Sequence, residues 1–187
     1  MSTLVAAVLL TVGAFLRALP PTGDPGKPAL LMALPDAGWA LSIDPPAFEF
    51  SEPEVRPDGR MAWAIGDSVE HGYALTAVLE RADDASNAID CRDRSRSLRK
   101  RGTSRGREVS HSTRGEMVLA SYHVDSFQGM QVDQRHLHAF MLHERVCIEL
   151  ELSMPDYRDK HQQLFEELLD SVALIDKPVP TDEAAQD

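Results

Sequence analysis

The sequence predicts an α+β domain, with a mostly antiparallel β-sheet flanked by helices. Three observations support this fold class: several segments alternate apolar and polar residues, these segments follow one another in runs, and only two segments have helical spacing. A two-residue period is typical of half-buried strands, whereas apolar residues three and four positions apart indicate a helix. Strands grouped in runs with few helices between them favour α+β over a parallel α/β sheet.

The first half of the predicted domain supplies strands. The segments with this alternation are residues 38–44, 48–55, 60–67 and 73–82. The second of them is expected to be irregular, because Pro53 is confined to the edge of a sheet. Pro57, Asp58 and Gly59 predict a turn, since proline presets φ and glycine accepts a positive φ.

Residues 83–102 predict the first helix. Asp83, Asp84 or Ser86 can cap its N-terminus. Acidic residues occupy its first half and basic residues its second half, which is the order that the helix macrodipole favours. The side chains expected on its inward face are Ala88, Cys91, Ser95 and Leu98. The glycine-containing segment that follows, residues 102–108, is interpreted as a mobile connection.

The second half predicts three more strands, at residues 117–124, 131–142 and 146–154. The last two form a hairpin whose short connection at His143 and Glu144 pairs Leu142 with Arg145. This register places His138 beside Glu149 and His136 beside Glu151. The closing helix, residues 156–171, has one apolar stripe, formed by His161, Leu164, Phe165, Leu168, Leu169 and Val172.

Two segments give the chain a resemblance to a known fold. The family consists of the PsbP, Mog1 and DcrB-like proteins. Its opening strand segment resembles residues 38–50 (GWALSIDPPAFEF), and its closing helix and exit strand are similar to residues 164–175 (LFEELLDSVALI). The resemblance covers about residues 37–175. It implies a PsbP/Mog1-like α/β/α sandwich and a binding, assembly or chaperone-like accessory role. No functional residue of the family can be placed on this chain.

The N-terminal residues 1–17 predict a signal-like segment. Its apolar run, residues 4–16, is shorter than the ~20 residues that span a bilayer and has the length of a secretory h-region. No Lys or Arg precedes the run and no small-x-small cleavage site follows it, so a buried core helix is the alternative. The remainder divides into a Pro/Gly-rich linker (18–36), the domain (37–175) and an acidic tail (176–187). We expect a periplasmic or secreted protein, with membrane contact only through an uncleaved N-terminal segment.

Charge is segregated along the chain. The net charge is −11, which argues against a specific nucleic-acid-binding protein. Residues 92–107 nevertheless carry a net charge of +7 and can attract an anionic partner. A solvated helix end is the alternative. The candidate anion- or partner-binding residues are Arg92, Arg94, Arg96, Arg99, Lys100, Arg101, Arg105 and Arg107.

Histidines supply a candidate metal site. His136 and His138 project from one strand face, and Glu149 or Glu151 can add a carboxylate from the next strand. Two imidazoles and one carboxylate can hold zinc or iron. The favoured alternative is cross-strand pairing at a solvated surface, because the chain has no HExxH, CxxC or EF-hand motif. No cofactor and no catalytic residue are assigned, since no G-x-S-x-G motif is present either.

Cys91 and Cys147 are the two cysteines of the chain. An oxidising compartment favours their pairing if the first helix covers the outer side of the hairpin. Two separate buried thiols are the alternative.

The sequence therefore predicts a non-enzymatic exported accessory or binding protein that acts on an unidentified protein or anionic partner. The contact surface is expected to be a sheet face or the basic segment. Two alternatives remain: a metal-dependent or hydrolytic enzyme that uses the face of His136 and His138, and a chaperone-like adaptor for a partner protein segment.

Overall fold

A large antiparallel sheet organises the computed structural model, which describes residues 29–45, 48–68, 72–99, 104–127, 129–155, 157–158 and 160–177. The elements in chain order are β1 (Leu30–Met32), β2 (Trp39–Ile43), β3 (Glu49–Phe50), β4 (Glu54–Val55), β5 (Met61–Ser68), β6 (Tyr73–Arg81), α1 (Ala88–Arg99), β7 (Ser104–Arg114), β8 (Met117–Phe127), β9 (Met130–His143), β10 (Val146–Pro155), α2 (Lys160–Asp170) and β11 (Ala173–Asp176). The predicted fold class is confirmed, because the strands pair antiparallel throughout the large sheet.

The large sheet has the strand order β3-β5-β6-β10-β9-β8-β7, with β4 also paired to β5. A small sheet with the order β1-β2-β11 packs on one side, which we call the inner face. Alternate residues of the central strands point there, among them Leu75, Leu79, Leu150 and Leu152, and all four are buried. The helix α1 packs on the opposite side, the outer face, over β8, β9 and β10.

The amphipathic stripe of α2 is confirmed. Phe165, Leu168 and Leu169 are buried in the same core as the small sheet, and His161 is also buried. The nitrogen Nδ1 of His161 accepts a hydrogen bond from the backbone N–H of Arg158, at 2.9 Å. The stripe of α2 therefore closes the inner face, as the helical spacing predicts.

Two strands occur where the sequence predicted none. β1 lies inside the predicted linker, and Leu30, Met32 and Leu34 are buried in the main core. The folded part thus begins before residue 37, because an apolar stretch between prolines completes the small sheet. β7 occupies part of the predicted mobile connection, residues 102–108, and pairs with β8 through two register shifts. A charged, bulged strand of this kind is typical of a sheet edge.

The N-terminus of α1 also differs from the prediction. The side chain of Asn87 accepts hydrogen bonds from the backbone N–H groups of Ile89 (2.8 Å) and Asp90 (3.1 Å), so Asn87 is the N-cap. Asp83 and Asp84 instead pair with arginines, and Ser86 precedes the cap. The carboxylate of Asp90 accepts a hydrogen bond from the backbone of Ser86, at 2.7 Å.

The predicted signal-like segment (1–17), residues 18–28 of the predicted linker and the tail from residue 178 lie outside the described residues. Within the described ranges, neither helix has the length and apolarity needed to cross a membrane.

Candidate functional site on the outer face of the large sheet

A disulfide fixes α1 to the outer face. Cys91 and Cys147 are bonded, with their Cα atoms 5.4 Å apart. Both cysteines are buried, beside Val118, Ala120 and Phe140. The predicted pairing is confirmed, because α1 covers the side of β10 from which Cys147 points.

The hairpin of β9 and β10 turns one residue later than predicted. Its turn residues are Glu144 and Arg145, both with positive φ (46° and 61°), and His143 pairs with Val146. A two-residue turn with two positive φ values matches the right-handed twist of the strands, although glycine or asparagine is usual there. The register is therefore shifted by two residues, and the two faces of the hairpin stay as predicted.

This shift makes the two expected His–Glu neighbours diagonal, and both still form contacts. His138 lies directly opposite Glu151, while its Nδ1 is 3.0 Å from Oε1 of Glu149. Nδ1 of His136 is 2.5 Å from Oε1 of Glu151. The surface interpretation is wrong for His138, which is fully buried. The rings of Phe140, Tyr122 and His136 surround it.

Three donor groups converge at this point. His136, His138 and Glu151 each offer one ligand atom, and these three atoms lie within 4.8 Å of one another. Nε2 of His138 is 3.8 Å from Oε1 of Glu151. Of the two carboxylates that the sequence offered, Glu151 thus joins the two histidines, whereas Glu149 hydrogen-bonds the far nitrogen of His138.

Aromatic rings fix the orientation of the buried histidine. The ring of Phe140 stacks on that of His138, with centroids 5.7 Å apart and planes 3° from parallel. The edge of Tyr122 meets it from β8, with centroids 5.2 Å apart. His136 stacks on the other side, at 6.3 Å. Nε2 of His136 is buried without a hydrogen-bond partner among the described residues.

The candidate basic residues do not form one described surface. Arg92 pairs with Asp93 at 2.8 Å, and Arg94 pairs with Asp84 at 3.0 Å and Glu80 at 3.3 Å. Arg96 and Arg99 lie on α1, the latter with its side chain outside the described residues, and only the backbone of Arg105 and Arg107 is described, in β7. Lys100 and Arg101 lie outside the described residues. The acidic partners reduce the positive charge that the first turns of α1 present.

The half of the outer face that carries β5 and β6 lies beside α1, whose main contacts within the described ranges are with β8, β9 and β10. We call this surface the uncovered half; it consists of Met61, Trp63, Ile65, Thr76 and Val78. Ile65 is 47% exposed. The alternation of β5 predicted one face with Met61, Trp63 and Ile65, but gave no sign that this face lacks a covering element.

A pocket of about 270 Å³ lies between the uncovered half and α1. Its apolar lining includes Met61, Trp63, Val78 and Phe140, and Arg94 also lines it. The sequence did not reveal this pocket, because residues far apart in the chain form it.

A second pocket, of about 430 Å³, is lined by polar and aromatic side chains. His123 and Asp133 form a hydrogen bond of 2.8 Å there, and the guanidinium of Arg135 lies 4.7 Å from the ring centre of Tyr157. These groups satisfy one another, and we assign no function to this pocket.

Two ion pairs near the C-terminal end of β6 contain groups with shifted pKa values. The hydrogen bond from Arg81 lowers the pKa of Asp36, at a distance of 2.5 Å. The hydrogen bond from Arg60 lowers the pKa of Asp83, at 2.7 Å, and that carboxylate in turn raises the pKa of Arg60. Both aspartates are exposed, so solvent screens these interactions.

No protein-family model and no curated protein matches the chain. Solved structures do match it. A variant of the protein Mog1 matches with a TM-score of 0.53 and 11% identity, over 79% of this chain and 96% of that chain. The Ran-binding protein Mog1p of Saccharomyces cerevisiae matches with a TM-score of 0.52 and 10% identity, over 79% and 95%. Cyanobacterial PsbP (CyanoP) of Synechocystis matches with a TM-score of 0.48 and 15% identity, over 84% and 98%.

These matches concern the fold. The two Mog1 structures confirm the Mog1-like arrangement that the opening and closing segments of the sequence predicted. At 10% and 11% identity the likeness assigns no site residue.

Proposed function

We propose that the chain is an exported accessory protein that binds a partner protein on the uncovered half of the outer face. The observation that carries this proposal is the exposed side chain of Ile65, which lies on the same strand face as half-buried Trp63, and Trp63 in turn lines an open pocket. Exposed apolar surface next to a concave site is typical of protein-binding surfaces. Tryptophan is also enriched among the residues that contribute most to protein–protein affinity.

A protein side chain is a suitable occupant of the pocket. Its volume of about 270 Å³ is close to the lower end of the roughly 300–1,000 Å³ of pockets that enclose drug-sized ligands. An apolar side chain of a partner can enter it while the neighbouring partner surface covers Ile65. Mog1p of Saccharomyces cerevisiae is a Ran-binding protein, so a domain with this fold can serve as a binding module.

The uncovered half is a better candidate than the basic segment. Arg92 and Arg94 already pair with acidic residues of the same chain, so binding an anion there would compete with existing ion pairs. The apolar surface of the uncovered half has no such competitor within the described ranges.

Two features support export. The bond between Cys91 and Cys147 is of a kind that persists in oxidising compartments, and the run at residues 4–16 has the length of a secretory h-region. We therefore propose a periplasmic or secreted location. N-terminal sequencing of the mature protein and cell fractionation test it: full-length protein in the cytoplasm would contradict export.

Site-specific photo-crosslinking in the native host tests the binding surface. A photoreactive amino acid at position 65 is compared with one at position 31, because Leu31 is equally exposed (52%) but lies in the small sheet. We expect a crosslinked partner from position 65 only, and its loss when Trp63→Ala is added. Equal crosslinking from both positions, or none from position 65, would overturn the proposed surface.

A further inference from the structure

We propose that His136, His138 and Glu151 bind one divalent transition-metal ion, with Zn²⁺ as the representative ion. The site lies on the outer face beside Tyr122 and Phe140, and the proposal is independent of the proposed partner-binding function. Two imidazoles and one carboxylate form a ligand set that suits zinc and related metals. Calcium and magnesium prefer oxygen ligands, so this donor set disfavours them.

The distances between the donor atoms are close to those of a tetrahedral site. Metal–ligand bonds of about 2.0–2.1 Å place neighbouring ligand atoms roughly 3.3 Å apart. Here, Oε1 of Glu151 is 2.5 Å from Nδ1 of His136 and 3.8 Å from Nε2 of His138. All three ligand atoms lie within 4.8 Å of one another, so side-chain shifts of roughly 1 Å bring them to coordination distance of one position.

The ring of His138 is already oriented as a ligand. Glu149 accepts a hydrogen bond from its Nδ1, at 3.0 Å, which makes Nε2 the acceptor nitrogen and directs it toward Glu151. A carboxylate behind a ligating histidine is the usual supporting partner in metal sites, where it fixes the tautomer. Phe140 and Tyr122 hold the plane of the ring, so no large rotation is needed.

The ring of His136 is held less firmly. Its Nε2 makes no hydrogen bond to any described residue, so turning the ring alters its stacking on His138 and breaks the contact with Glu151, which metal coordination replaces. The side chains of His136 and Glu151 remain 18% and 27% exposed, whereas His138 is buried. Water can therefore reach the site from the side of His136 and fill the fourth position, as it does in zinc sites with three protein ligands.

Titration of the full disulfide-bonded chain, freed of any affinity tag, tests the proposal with Co²⁺ and Zn²⁺ as probes. We expect one equivalent of Co²⁺ to produce the visible absorption of a tetrahedral complex, and Zn²⁺ to displace it. His136→Gln and Glu151→Gln should each weaken binding at least tenfold. His111→Gln is the matched control and should bind as the parent does, because His111 is an exposed histidine on β7.

A second measurement keeps the test decisive if a variant misfolds. Imidazole ¹⁵N NMR of the parent protein should show Zn²⁺-dependent changes at His136 and His138 and none at His111. Absence of saturable Co²⁺ binding, tight binding retained in His136→Gln, or NMR changes confined to other histidines would each overturn the proposal.

Discussion

The inner and outer faces of the large sheet are built from alternate residues of the same strands, yet they differ in kind. On β10, Ile148, Leu150 and Leu152 point inward and are buried among other apolar side chains. Their neighbours Glu149 and Glu151 point outward and contact buried or half-buried histidines. The inner face is thus a conventional apolar core, whereas the outer face combines a disulfide, ionisable groups and exposed apolar surface.

The inner face mainly stabilises the fold, whereas the outer face carries the side chains that can bind a ligand. Apolar burial on the inner face requires only the correct period and volume, so many sequences can satisfy it. A buried histidine on the outer face requires specific partners, because a buried polar group without them is costly. The ionisable side chains that folding alone does not require therefore lie mainly on the outer face.

Removal of the disulfide, which lies on the outer face, should have the largest effect on stability. Cys91 and Cys147 are 56 residues apart. Their bond restricts the unfolded chain, and the chain-entropy model gives a contribution of roughly 4 kcal/mol for such a loop. We expect the double variant Cys91→Ser, Cys147→Ser to lose about this much free energy of unfolding in urea titrations.

The parent protein measured with a reducing agent is the matching control for that variant. Equal stability of the oxidised and reduced parent would show that the bond contributes nothing.

Shortening one inner-face side chain should have the next largest effect. Leu150 is fully buried on β10, so Leu150→Ala should cost about 2–5 kcal/mol, because it loses apolar contacts and leaves a cavity. Val78, on the outer face of the neighbouring strand, is only half-buried, and Val78→Ala should cost clearly less. The midpoints of denaturant unfolding, at constant m-value, give the free energy of unfolding that each variant loses. Similar losses in the two variants would contradict the distinction between the faces.

The inner face could be predicted from the sequence almost completely. The alternation of β6 and β10 and the stripe of α2 each identify buried residues, because local period determines which side chains share a face. β1 was missed because three residues between prolines are too few to show a period. β7 was missed because its charged residues have no apolar alternation, which an edge strand does not need.

The candidate site was only partly predictable. His136 and His138 were found from their spacing, and Cys91 with Cys147 from the expected position of the helix. The choice between Glu149 and Glu151 required the register of the hairpin, which depends on the positive φ at Glu144. The sequence does not predict this φ, because position 144 is neither glycine nor asparagine. The uncovered half required the tertiary structure, since no local pattern shows which face a helix leaves exposed.

Loss of the N-cap of α1 should have a smaller effect, again on the outer face. Asn87 satisfies two backbone N–H groups at the start of the helix, so Asn87→Ala should cost about 1 kcal/mol. Ser86→Ala is the matched control, since the Ser86 backbone, which the substitution keeps, forms the hydrogen bond to Asp90. Thermal unfolding with the disulfide intact measures both; an equal loss in the control would contradict Asn87 as the cap.

The smallest expected effect concerns the ion pair that ties the small sheet to the large one. Asp36 lies in the connection after β1 and accepts a hydrogen bond from Arg81 of β6, which lowers the pKa of Asp36 in the folded state. A lowered folded-state pKa means that the stabilisation is present above the unfolded-state pKa of about 4 and is lost as the pH falls through the folded-state value. Because Asp36 is exposed, screening keeps the contribution small.

Asp36→Asn should therefore lower Tm slightly at neutral pH, and its difference from the parent should disappear as the pH falls below about 4 or when salt is raised to about 1 M. Asp83→Asn is the comparison, because Asp83 pairs with Arg60 and its pKa is also lowered, but the pair lies at the β6–α1 connection. If the docking of the small sheet depends on the Asp36 pair, hydrogen exchange of the β2 amides should rise in Asp36→Asn and stay unchanged in Asp83→Asn. Unchanged exchange in both variants would mean that apolar burial alone holds the small sheet on the inner face.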